Sequence, residues 1–95
     1  MPELRPARTV RATLTDHGAM LLDLRGRGRW YALGPSGARW WHHLTHGATT
    51  DEAADRVAAH YGVDPERVRA DMHALAVQLR ARRLLRPTGL RRWKR

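Results

Sequence analysis

Three histidines, His42, His43 and His46, fall in the run WWHHLTH, and His42 and His46 stand at the i, i+4 spacing that puts two imidazoles on one helix face. A metal would need a third ligand from His60 or a carboxylate, and the glutamate of an H-E-x-x-H site is missing. Solvent-facing histidines at a helix carboxyl end, where the helix dipole favours them, account for the run without a metal. Asp16, Asp23 and Asp71 form no pair legible in sequence, and there is no G-x-S-x-G elbow, phosphate loop or dinucleotide glycine pattern. The absence of cysteine removes thiol nucleophiles, cysteine zinc sites and disulfides. These residue types argue for no enzyme, no metal and no cofactor. What they offer is a surface: Arg25, Arg27 and Arg29 lead into Trp30 and Tyr31 in RGRGRWYAL.

The elements that would position that surface can be read from periodicity. Val10, Ala12 and Leu14 alternate with Arg11 and Thr13, the pattern of a half-buried strand. The turn TDHG leads to a second strand, AMLLDL over residues 19–24, and RGRG leads to a third, RWYAL, closed by GPSG. Ser36 is a candidate N-cap for a first helix that holds Ala38, Trp41 and Leu44 and stops at Gly47. Thr49 and Glu52 form a capping box for a second, with Ala53, Ala54, Val57, Ala58 and Tyr61 buried and Gly62 as its stop. Asp64 and Pro65 open a third helix that can run to about residue 84, since no Gly or Pro interrupts it. Its large apolar stripe is Val68, Met72, Leu75 and Leu79 with Ala76 at the border, and Asp71, Gln78 and Arg82 flank that stripe. Ala70, Ala74, Val77 and Ala81 form a second, small-residue stripe opposite. A three-stranded antiparallel meander followed by three helices is an α+β domain of winged helix-turn-helix type.

In a meander ordered by sequence the third strand is an edge, whose free N–H and C=O groups would pair with an extended peptide. If the third helix lies beside that edge, strand and helix form a groove. Tyr31 and Leu33 share one strand face and Trp30 and Ala32 the other, so one face must meet solvent or a partner.

The 95 residues suffice for one core. The expected organisation is a flexible stretch over 1–8, a folded domain over 9–86 and a basic flexible tail over 87–95. The net charge of +9 is concentrated in residues 80–95, which carry eight basic residues and no acid, so the body is almost neutral. Three acids among the first eight residues of DPERVRADM stand where a recognition helix would meet DNA, which argues against specific nucleic-acid binding and leaves a winged-helix nucleic-acid protein as the alternative. The arginine- and proline-bearing amino terminus is unlike a signal peptide, and no run is long enough to span a membrane; a soluble cytoplasmic protein is expected.

From about residue 8 to 86 the chain resembles the PqqD-like domains, or RiPP recognition elements, and especially the free-standing members of lasso-peptide biosynthesis. The resemblance rests on an ordered set: MLLDL, an aromatic strand before G-x-S-G-A-x-x-W, T-x-E opening the second helix, YGVD, then V-x-x-D-M ending at LL. It implies a non-catalytic domain that binds the leader peptide of a ribosomally made precursor antiparallel to the third strand, and delivers it to a separate leader peptidase and the macrolactam cyclase of that pathway. The pairing strand then falls on Arg29, Trp30, Tyr31, Ala32 and Leu33, and the groove-lining helix positions on Asp71, Ala74, Leu75, Gln78, Leu79 and Arg82. Two positions depart from the family pattern: Arg83, where glycine is frequent, and Leu75, where an aromatic is frequent.

Overall fold

Local cap chemistry sets the helix starts. Thr49 Oγ1 accepts from the Glu52 N–H at 3.1 Å and Glu52 Oε1 accepts from the Thr49 N–H at 2.9 Å, the reciprocal bonds that open α2 (Thr50–Tyr61). Asp64 caps α3 (Pro65–Ala81) by accepting from the Glu66 N–H at 3.1 Å. Helix α1 (Pro35–Thr45) begins earlier than the sequence reading placed it: Gly34 is the N-cap and Pro35, which has no N–H to leave unpaired, takes the first turn. Gly62 ends α2 in the left-handed conformation, at φ 67°.

The computed structural model describes residues 3–87. Strands β2 (Val10–Thr15), β3 (Gly18–Asp23) and β4 (Arg29–Leu33) form an antiparallel sheet in sequence order, so β4 is an edge. Gly18, at φ 145°, opens β3 where a Cβ would collide with the Leu33 carbonyl oxygen, so glycine lets β3 and β4 close here. Ala19, Leu21 and Leu33 point into a core filled by Trp40, Trp41 and Leu44 of α1, Val57 of α2, and Met72 and Leu79 of α3. Trp40, although fully buried, keeps its indole N–H satisfied by donating to the Thr50 carbonyl at 3.1 Å. Arg69 donates to both Asp55 oxygens, at 2.8 and 2.7 Å, joining α3 to α2. Among the described residues no helix is long and apolar enough to cross a membrane.

Five expectations need correction. Ala12 and Leu14 are exposed and Val10 only partly buried, because α1 packs over β3 and β4 and leaves β2 uncovered. Tyr61, at the last turn of α2, is 45% exposed. Helix α3 stops at Ala81: Arg83 turns to φ 63°, its N–H donates to the Arg80 carbonyl at 2.9 Å, and the Leu84 N–H reaches the Leu79 carbonyl at 2.9 Å. This pair of bonds is a Schellman stop with arginine at the position that usually holds glycine. The stop sends the chain into β5 (Leu85–Pro87), which pairs antiparallel with β1 (Leu4–Pro6). Within residues 1–8, expected to be flexible, Leu4–Pro6 form β1, and Leu4 and Ala7 are buried. Within the expected tail, Pro87 belongs to β5, and residues 88–95 lie outside the described residues.

Candidate functional site

Among the described residues no strand pairs with the outer edge of β4, which runs beside α3 in the opposite direction, Arg29 near Arg82 and the Leu33–Pro35 end near Asp71. Side chains rather than close backbone packing bridge the gap. The Tyr31 hydroxyl donates to Gln78 Oε1 at 3.0 Å, and the Arg82 guanidinium carbon lies 5.0 Å from the Tyr31 ring centroid, within cation–π range. Gly37 of α1 closes the floor: a Cβ there would stand 3.3 Å from Leu75 Cδ2 and 3.6 Å from Leu33 Cβ, so the missing side chain admits both leucines.

The two ends of this groove differ in character. At the Arg29 end a cavity of about 440 Å³ is lined by Asp23, Arg25, Arg29, Tyr31, Arg82 and Arg83. Asp23 is the only carboxylate among the lining residues, and it is engaged. Arg25 donates to it through Nε, Nη2 and its backbone N–H, each at 3.0 Å, which holds the Asp23 carboxyl below the usual range; the charges of Arg25 and Arg29 add to the effect. Arg25 also donates to the Arg83 carbonyl at 2.6 Å, tying the β3–β4 loop to the end of α3. At the other end a shallow apolar hollow of about 820 Å³ is lined by Pro35, Tyr61, Val63, Val68, Asp71 and Met72.

Most of the site residues read from sequence assemble along this groove. On β4, Tyr31 is half-buried toward α3, Leu33 is buried, and Arg29 and Ala32 are exposed. Asp71, Ala74, Leu75 and Gln78 lie on the accessible part of α3, and Arg82 is its exposed C-cap. Two placements change. Leu79 is completely buried, on the core face it shares with Val68, Met72 and Ala76, and so supports the groove from beneath instead of lining it. Trp30 is 60% exposed, opposite Leu22 of β3 on the sheet face away from Tyr31 and Leu33, where Met20 pairs with Ala32. Arg25, which the sequence places in the basic run leading into β4, lines the site, and so does Arg83, which the sequence marks only as a departure from the family's glycine. The histidines lie elsewhere, with His42 and His46 ring centroids 4.3 Å apart, and no cluster of three or more metal-ligating side chains forms among the described residues.

A family model described as coenzyme PQQ synthesis protein D (PqqD) matches residues 18–85, from the start of β3 to the start of β5. The chain belongs to the PqqD family. Its fold, strands β2–β4 followed by α1–α3, is the α+β PqqD-like arrangement also seen in two solved structures. One is TbiB1 in complex with the TbiA(beta) leader peptide, with a TM-score of 0.79 and 27% identity over 90% of this chain and 98% of that one. The other is lasso peptide synthetase B1 complexed with the leader peptide, with a TM-score of 0.75 and 26% identity over 90% of this chain and 99% of that one. No curated protein sequence matches this PqqD-family chain.

Proposed function

We propose that this PqqD-family chain is a RiPP recognition element that captures the leader peptide of a lasso-type precursor by strand addition to β4, and that it performs no chemistry itself. The observation that carries the reading is the free β4 edge facing α3, in a chain similar over 90% of its length to two proteins determined with leader peptides. Backbone pairing along β4 supplies affinity that tolerates sequence change, and one or two leader side chains seated against Leu33, Gly37 and Leu75 supply selectivity. Ordering a flexible leader opposes that gain, so the groove has to be well filled for tight binding.

The catalytic steps belong to partners, the leader peptidase and the macrolactam cyclase of the same pathway. The domain aids them by raising the local concentration of precursor. That role places it in the cytoplasm with those enzymes. A nucleic-acid role is disfavoured by Asp64 and Glu66 at the start of α3, where Asp64 is already spent as the N-cap.

The test is fluorescence anisotropy of the labelled leader of the lasso precursor encoded nearest this chain's gene, with a random-sequence DNA duplex in parallel, each at low and moderate salt. Saturable leader binding that survives the salt, beside weak and salt-sensitive DNA binding, is expected. Tight DNA binding with no leader binding would overturn the reading.

A further inference from the structure

Arg83 stands in the left-handed region at φ 63°, in the helix-stop position where glycine serves the backbone better. A side chain kept at such a position directs attention to what that side chain adjoins. Here it is the basic cavity, where Arg25, Arg29, Arg82 and Arg83 surround one carboxylate already held by Arg25. Two of these arginines are held in place. Arg82 lies over the Tyr31 ring, and Arg25 bonds both Asp23 and the Arg83 carbonyl. No further carboxylate lines the cavity to balance Arg29, Arg82 and Arg83. A partly enclosed site with this charge excess, built on restrained side chains, suits one anionic group.

The resemblance to leader-binding domains implies antiparallel addition, the sense also used between β2, β3 and β4. A segment added to β4 in that sense runs from the Pro35 end toward Arg29. Its carboxyl-terminal side therefore arrives at the basic cavity, while its amino-terminal side leaves over the apolar hollow.

We propose that the cavity formed by Arg29, Arg82 and Arg83 binds an Asp or Glu side chain of the leader, just beyond the carboxyl end of the segment paired with β4. The inference rests on the leader-binding reading. It adds to it a charge requirement and its place: the acid lies on the side of the leader that continues toward the part of the precursor to be processed. Arg29 and Arg82 approach it from strand and helix, and Arg83 closes the end.

The test uses the full chain and the labelled leader of the lasso precursor encoded nearest its gene, with single Glu and Lys replacements walked along the leader's carboxyl-terminal half. At one position or two close neighbours the Glu form is expected to bind about tenfold more tightly than the Lys form. The Arg83→Gly variant is expected to bring that ratio close to one while raising the thermal midpoint, because glycine relieves the left-handed backbone. A merely structural arginine would give the reverse change in midpoint and leave the ratio alone.

Equal binding of Glu and Lys forms at every position overturns the cavity assignment and leaves leader binding intact. A preference confined to the amino-terminal end of the paired segment, seen when the walk is extended there, overturns the direction. No binding by any leader form overturns both the leader reading and this proposal. Efficient displacement of the preferred Glu leader by a random DNA duplex at moderate salt overturns the proposal in favour of a phosphate site.

Discussion

Where α1 meets α2, Trp40, Trp41, Leu44, Ala53 and Val57 are almost wholly removed from solvent and the Trp40 indole N–H is satisfied. Where α3 meets β4, a tyrosine–glutamine hydrogen bond and an arginine over a ring span a gap between exposed polar side chains. The first region closes its hydrogen bonds and buries its apolar surface. The second leaves a strand edge unpaired, gathers arginines around one satisfied acid, and keeps a residue in a costly backbone region. Burial on the α1–α2 side supplies the stability that lets the β4–α3 side stay open for recognition.

The same substitution in the two regions tests this division most severely. Trp40→Ala removes a fully buried indole and is expected to cost about 3–5 kcal/mol, a large share of the roughly 5–15 kcal/mol typical of a whole domain. Urea denaturation should show a destabilised or lost cooperative transition, with leader binding lost alongside. Trp30→Ala, at a position 60% exposed that faces away from the groove floor but lines the basic cavity beside Arg29, should leave the urea midpoint nearly unchanged and weaken leader binding. Comparable destabilisation by both variants would erase the distinction between the regions.

A smaller effect on stability and a larger selective effect on binding are expected from Leu75→Asp. Leu75 is half-buried against Gly37 and next to Leu33, at the floor of the groove. An aspartate there retains partial access to water, so the stability cost should stay near 1–2 kcal/mol, while leader affinity should fall at least about tenfold through the lost apolar contact. Circular dichroism and anisotropy on one sample separate these effects; a folded variant that binds leader as well as the parent would remove the groove assignment.

The structure bears out the parts of the sequence reading that rest on local chemistry. The Thr49–Glu52 capping box, the Asp64–Pro65 start and the Gly62 stop each depend on a few neighbouring residues whose side-chain or backbone preferences act directly. The sheet order follows from hairpin-length connections, and the groove residues follow from β4 being last in that sheet and α3 being amphipathic. The features that the sequence does not display are non-local or lack a breaker. Strands β1 and β5 are three residues each, too short for periodicity, and hold the same tripeptide, Leu-Arg-Pro, which becomes meaningful only when the chain ends meet. The sequence carries the expected end of α3 three residues too far because arginine is no stop signal, although Arg83 adopts the glycine conformation. Leu79 and Gln78 are adjacent in sequence but the helical turn sends one into the core and the other to the groove, a difference that family position alone does not carry.

The smallest expected effect is a pH dependence confined to the α1–α2 side. The His43 imidazole is held below its ordinary range chiefly by burial, with Arg56, His42, Arg39 and His46 adding repulsion. This outweighs the helix dipole, which would favour a cation in the last turn of α1. The unfolded chain, with His43 near the ordinary value of about 6.5, therefore binds more protons than the folded one as pH falls through that value. Stability is fully present above it and declines on acidification toward the lower folded value. Urea midpoints at about pH 7.5 and about pH 5.5 should differ less in His43→Gln than in the parent; an unchanged difference would exclude His43 as the source. No histidine lines the basic cavity of the β4–α3 groove, and Asp23 there is held ionised by Arg25. Leader affinity measured where both proteins remain folded should therefore be indifferent to the His43 substitution across the same interval.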